Sequence, residues 1–152
     1  MPEPVPIVEI MQEYAEKAIV HAQRFGVTLD FSEQSLVYVD AILGAMTRDG
    51  LFQPDSLPAE EQENLWILCK AYGGYVGEVI VRHVGASWHS KDSPDGNFSV
   101  HLTIRDRLTG SPPDRVWKRL TQSEFDTIIG YYRGLQHMLG LTPFVPAPQN
   151  AR

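Results

Sequence analysis

Cys69 is the only cysteine in this sequence. With no second thiol, an intramolecular disulfide is impossible and a zinc site built on several thiolates is excluded. Cys69 sits beside Leu68 on an apolar face, so an inert buried thiol is expected rather than a nucleophile. No apolar run approaches the ~20 residues that a membrane span needs. The leading Met1-Pro2-Glu3-Pro4-Val5-Pro6 lacks the basic region and apolar core of a secretory signal, so a cytoplasmic location without membrane association is expected. Basic charge is also in short supply. Lys and Arg number 13 against 19 Asp and Glu, a net charge of −6. Nucleic-acid binding runs on phosphate neutralisation, so that partner class is not expected.

Catalytic signatures are missing as well. There is no Gly-x-Ser-x-Gly elbow and no glycine-rich phosphate loop ahead of a helix. His21, His83, His89, His101 and His137 show no HxxxH or HExxH spacing, and the nearest pair, His83 and His89, straddles a helix end and a strand. Neither a cofactor nor a metal site is expected on these grounds.

What is present fits one α+β domain over residues 1–152, with loose ends at 1–6 and 141–152 where prolines gather. The apolar fraction of 43% is enough for a core without covalent staples. Charge is uneven: residues 1–84 hold thirteen acidic and five basic side chains, residues 85–152 six and eight.

Ile7, Ile10, Met11, Tyr14, Ala18, Ala22 and Phe25 recur at helical spacing, and Gly26 ends that helix. Ser32 reads as the cap of a second helix with Leu36, Val39, Leu43 and Met46 inside, stopped by Asp49-Gly50. A long third helix spans Pro58 to Val84, its inner positions being Leu65, Leu68, Cys69, Tyr72, Val76, Val79 and Ile80, with Gly85 closing it. The period then switches to alternation. Ala86–Ser90 reads as a strand, Ser93-Pro94-Asp95-Gly96-Asn97 as a turn, and Phe98, Val100, Leu102 and Ile104 as the inner face of a second strand. Thr109–Pro113 reads as another turn, and Val116–Leu120 fits a strand or a helical turn. A last helix, capped by Thr121 or Ser123, carries Phe125, Ile128, Ile129, Tyr132, Leu135 and Leu139 inward. The expected architecture is about four helices packed against a small antiparallel sheet.

The segment Ala71-Tyr72-Gly73-Gly74-Tyr75-Val76-Gly77-Glu78-Val79 is unusual. Each glycine inside a helix costs about 1 kcal/mol against alanine, so three of them need an offsetting gain. A face without Cβ atoms admits another backbone, which makes a tight crossing the expected reading and a bare ligand surface the alternative. Glu78 and Arg82, four residues apart, suit an intrahelical ion pair. Glu78 as a general acid or base is the sharper alternative.

Tyr72-Gly73-Gly74-Tyr75-Val76-Gly77-Glu78-Val79-Ile80, Arg82-His83-Val84-Gly85, Trp88 and Arg115-Val116-Trp117-Lys118-Arg119-Leu120 resemble a widespread group of uncharacterised small bacterial proteins, over roughly residues 30–135. In that group a glycine–aromatic–glycine–glutamate helix runs into a short strand with a Trp. The resemblance implies a bacterial source and, for some members, a role as immunity or accessory proteins beside toxins. This chain departs in its Pro- and Gly-containing turn after Asp106 and in its polar loop from Asp92 to Asn97.

Two functional readings follow. The first is a non-enzymatic protein-binding role, such as toxin neutralisation, in which Asp55, Glu60, Glu61 and Glu63 meet a basic partner surface. The second is a small-molecule or enzymatic site near Glu78, Arg82 and His101, bordered by Arg105 and Trp117 in an aromatic–arginine patch with Thr103, Lys118 and Arg119. A monomer or a homodimer is compatible with either.

Overall fold

A computed structural model describes residues 6–92 and 98–148. Five α-helices and a three-stranded antiparallel sheet make an α+β fold: α1 (Ile7–Gln23), α2 (Ser35–Met46), a short 3-10 turn (Pro54–Ser56), α3 (Ala59–His83), β1 (Ala86–Asp92), β2 (Phe98–Ile104), β3 (Leu108–Gly110), α4 (Pro112–Thr121) and α5 (Ile128–Met138). The Ser93–Asn97 turn lies outside the described residues.

The fifth helix is the main departure from expectation. Of the two readings of Val116–Leu120 the helical one holds: the segment lies within α4, with Val116 and Leu120 on its buried side. Pro112 and Pro113 occupy its first positions, where a missing N–H costs nothing, Asp114 sits in the first turn, and Lys118 and Arg119 in the last. The expected turn over Thr109–Pro113 is therefore divided between β3 and α4. The last helix starts later than expected, at Ile128, with Thr127 Oγ1 accepting the Gly130 N–H. Phe125 falls before it and is 85% exposed rather than inside. Phe25, placed on the inner face of α1, is also exposed. Ser32 acts as expected: its Oγ accepts the Ser35 N–H at 3.1 Å and opens the turn that leads into α2.

Helix α3 is the axis of the molecule. Every residue from Ala71 to Ile80 is buried, so this stretch has almost no solvent-facing surface. The three glycines explain how it is covered on all sides. A Cβ on Gly73 would lie 2.5 Å from the Pro113 backbone at the start of α4, and one on Gly74 2.9 Å from the Met11 carbonyl oxygen of α1. One on Gly77 would lie 2.1 Å from the Trp88 indole of β1. Backbone crossing accounts for Gly73 and Gly74, while Gly77 instead houses an aromatic ring. The alternative of a bare ligand surface is thereby overturned, because each face is occupied by protein.

Strand register sets the sheet faces. Trp88 pairs with Leu102 and His89 with His101, so alternation directs Trp88, Val100, Leu102 and Ile104 to the core and His89, His101 and Thr103 away from it. The β2–β3 connection is three residues long, and two of them, Arg105 and Asp106, have left-handed φ values of 51° and 57°. That conformation is uncommon outside glycine. Here it is offset by what the turn delivers. Arg105 Nε donates to the Val84 carbonyl at 2.7 Å and Arg107 Nη1 to the Leu139 carbonyl at 3.4 Å. One hairpin turn thus places cations on the C-terminal ends of both α3 and α5, where the helix dipole favours them.

Helix α2 organises α5 from the side. Asp40 accepts the N–H groups of Ile128 and Ile129 at 2.7 and 2.9 Å, capping α5 from another helix. Glu33 accepts from the Tyr132 hydroxyl and the Gln136 amide. The tail expected to be loose is tied down as far as Ala147: Phe144 N–H donates to Gln136 Oε1, and the Gln34 amide exchanges two hydrogen bonds with the Ala147 backbone.

Candidate functional site

An open groove of about 710 Å³ lies between α1 and α3. Gly74 faces Met11, Tyr14 and Ala15, whereas Asn64 and Ile67 share the groove with Val20 and Arg24. The two helices therefore run in opposite directions. The floor is Leu68, Ala71 and the ring of His21. Val20 and Ile67 stand on its walls, 61% and 38% exposed. Around the rim are Glu13, Glu16, Lys17 and Arg24.

Helical spacing extends this rim. Glu60, Glu63, Asn64 and Ile67 are related by three, four and seven residues, so Glu60 and Glu63 continue the stripe that enters the groove. Glu61 stands three and seven residues before Asn64 and Leu68, which also line the groove, so it shares that side of the helix. Asp55 is exposed in the preceding 3-10 turn. Of the four acids expected to meet a partner, none lines the groove itself: Glu60, Glu61 and Glu63 stand on the part of α3 just before Asn64, and Asp55 lies in the 3-10 turn that precedes α3. None of Glu13, Glu16, Glu60 and Glu63 forms an ion pair with a described residue; the pair that does form is Arg115–Asp126 at 3.1 Å.

His21 is the one titratable group on the groove floor with a shifted pKa. Its Nδ1 lies 2.6 Å from the Tyr72 hydroxyl. Partial burial, with the nearby Arg24 cation adding to it, holds its pKa below the usual histidine value. The Tyr72 hydroxyl is fully buried and shifted upward by desolvation, so it stays protonated and can donate to the neutral imidazole.

The second expected site is not assembled. Glu78 is 4% exposed and accepts a hydrogen bond from Trp88 Nε1 at 3.1 Å, with no ion pair to Arg82. Arg82 instead lies over the Phe31 ring at 3.8 Å, and Phe31 stacks on Tyr75. Two features favour that arrangement: the Trp88 N–H satisfies the buried carboxylate locally, and Arg82 keeps its charge near water while covering an aromatic face. His101 sits on the opposite side of the sheet from the Trp88–Glu78 contact. Arg105 is spent on the end of α3, and Arg119 is buried, donating to Thr47 Oγ1 at 3.1 Å. The aromatic–arginine patch is therefore not formed. Trp117 is half-buried and stacks on Trp66, with centroids 4.4 Å apart and planes 8° from parallel. Cys69 is buried with its thiol pushed up to about 12, which leaves it unreactive.

Nothing in the sequence motifs marks the groove residues Val20, His21 and Ile67 as a site. The available signal was phase. Val20 and Ile67 are large apolar residues that fall outside the core stripes of their helices, which marks them as surface.

No protein-family model, curated protein or solved structure matches this chain. No helix among the described residues is long and apolar enough to cross a membrane.

Proposed function

We propose that this protein is a non-enzymatic binding module whose α1–α3 groove takes an amphipathic, basic segment of a partner protein. The observation that carries this reading is the groove itself: a largely apolar floor and walls, bordered by carboxylates that form no ion pair with a described residue. Such a surface rewards apolar burial at its centre and positive charge at its edge, the arrangement of helix-in-groove recognition. The acidic excess of residues 1–84 adds long-range attraction for a basic partner and speeds encounter. A second copy of this chain would bring the same carboxylates together, so a different, basic protein suits the groove better. Neutralising a toxin by covering a basic cleft is the form of this role that the sequence resemblance implies.

Site-specific photo-crosslinking in the source cell tests the proposal. Crosslinkers at Val20 and Ile67 are expected to trap the same basic partner, and one at Thr103, on the outer sheet face, is not. Reversing Glu13, Glu16 and Glu63 to Lys should weaken capture and remove its salt dependence. Equal trapping from Thr103, or capture indifferent to charge reversal, would refute the groove as the binding surface.

A further inference from the structure

The geometry points to a second, independent site: His89 and His101 form a two-imidazole site for a divalent late transition-metal ion such as Zn²⁺ on the outer face of the sheet. In sequence these residues are twelve apart and look unrelated. The antiparallel register makes them direct cross-strand partners. His89 is exposed and His101 half-buried, and neither ring is hydrogen-bonded to a described residue. Each neutral imidazole therefore has a lone pair to give.

Spacing decides the class of ligand. The ring centroids are 5.4 Å apart with planes inclined by 22°. Zinc binds imidazole nitrogen at about 2.0–2.1 Å, which puts each ring centroid about 3.2 Å from the metal and, at a tetrahedral angle, the two centroids about 5.2 Å apart. The observed separation is close to that value, although the near-parallel stack does not itself aim the in-plane lone pairs at one point. Rotation about the broad χ2 torsions of the two rings is enough to turn a nitrogen of each toward a shared ion. Imidazole ligands favour zinc, copper and nickel over magnesium or calcium. No group of three or more potential ligands occurs among the described residues, so water or an incoming donor fills the remaining positions. The site is open on its solvent side, as zinc sites that accept an external ligand are.

Metal binding to the folded pair stabilises the protein by mass action, so thermal unfolding of the whole chain with added Zn²⁺ is the test. Zn²⁺ is expected to raise Tm in a saturable way and Mg²⁺ to leave it unchanged. His89→Ala and His101→Ala should each weaken the apparent affinity by roughly a hundredfold, the loss expected when a chelate becomes a single ligand. His83→Ala should leave it intact. Zn²⁺ should also shift the ring proton NMR signals of His89 and His101 together. His89 is exposed, so its variant reads binding without disturbing the fold. A Zn²⁺ response that survives His89→Ala, or no response of either ring up to millimolar Zn²⁺, would overturn the assignment.

Discussion

Trp88 meets α3 twice within one turn: its indole N–H donates to Glu78 Oε1 at 3.1 Å, and its six-membered ring fills the space where Gly77 has no side chain. This contact fastens the sheet to the central helix and keeps a nearly fully buried carboxylate partnered. The glycine, the glutamate and the tryptophan therefore act as one structural unit, and the unit makes a scaffold of the segment that looked most like a functional motif.

The first prediction concerns that unit. Gly77→Ala gains helix propensity of about 1 kcal/mol but forces a methyl group into the indole, and overpacking costs typically about 1–3 kcal/mol and sometimes more. At an approach of 2.1 Å the clash dominates, and denaturant unfolding should show net destabilisation. In a double-mutant cycle, Gly77→Ala combined with Trp88→Leu should be less destabilised than the sum of the single variants, because removing the ring removes the clash. Additive effects would mean that Trp88 does not occupy the space over Gly77.

Other glycines separate crossing from mere permissiveness. Gly73→Ala and Gly74→Ala each direct a methyl group at backbone atoms of another helix, which cannot move aside, so both should lower the urea midpoint. Gly134, in α5, would meet nothing within 4 Å. Gly134→Ala should raise stability by about 0.5–1 kcal/mol through helix propensity and a less flexible unfolded chain.

Much of the fold could be read from the sequence because local pattern and burial agree over most of it. The α1 stripe through Met11 and Ala22, the closing Gly85 and the alternation from Val100 to Ile104 all follow from periodicity. Pattern failed where a side chain satisfies a distant element. Arg105 and Arg119 looked like surface cations, yet they serve carbonyl and hydroxyl groups brought close only by the fold. Glu78 and Arg82 had the right spacing for each other, but Trp88 and Phe31 are better partners that spacing cannot reveal. The groove escaped notice for a related reason. It is lined jointly by residues of α1 and α3, and how two helices pack is not written in either one alone.

A third prediction is a pH dependence at Asp40. Burial holds its carboxyl above the usual carboxylate range, against the two amide N–H groups and the Arg119 cation that pull it down. The folded protein thus keeps this proton at pH values where the unfolded chain has lost it. Asp40 therefore contributes most to stability below its unfolded pKa of about 4, and the contribution falls as pH rises through the folded value. Asp40→Asn cannot ionise, so its stability relative to the parent should rise as pH increases across that window. Urea unfolding of both proteins from pH 4 to pH 7 checks the sign, and Asp40→Ala, which loses the α5 cap altogether, should cost about 1–2 kcal/mol at pH 4 and less toward pH 7.

The most direct measurement of the binding account is an NMR titration of the whole chain with a basic amphipathic helical peptide built of leucine and lysine. The account predicts saturable shifts concentrated at Val20, His21, Ile67 and Leu68, weakened by salt and by Glu13→Lys with Glu63→Lys. Shifts centred instead on Gly73, Gly77 and Glu78, or no saturable binding at low salt, would contradict it.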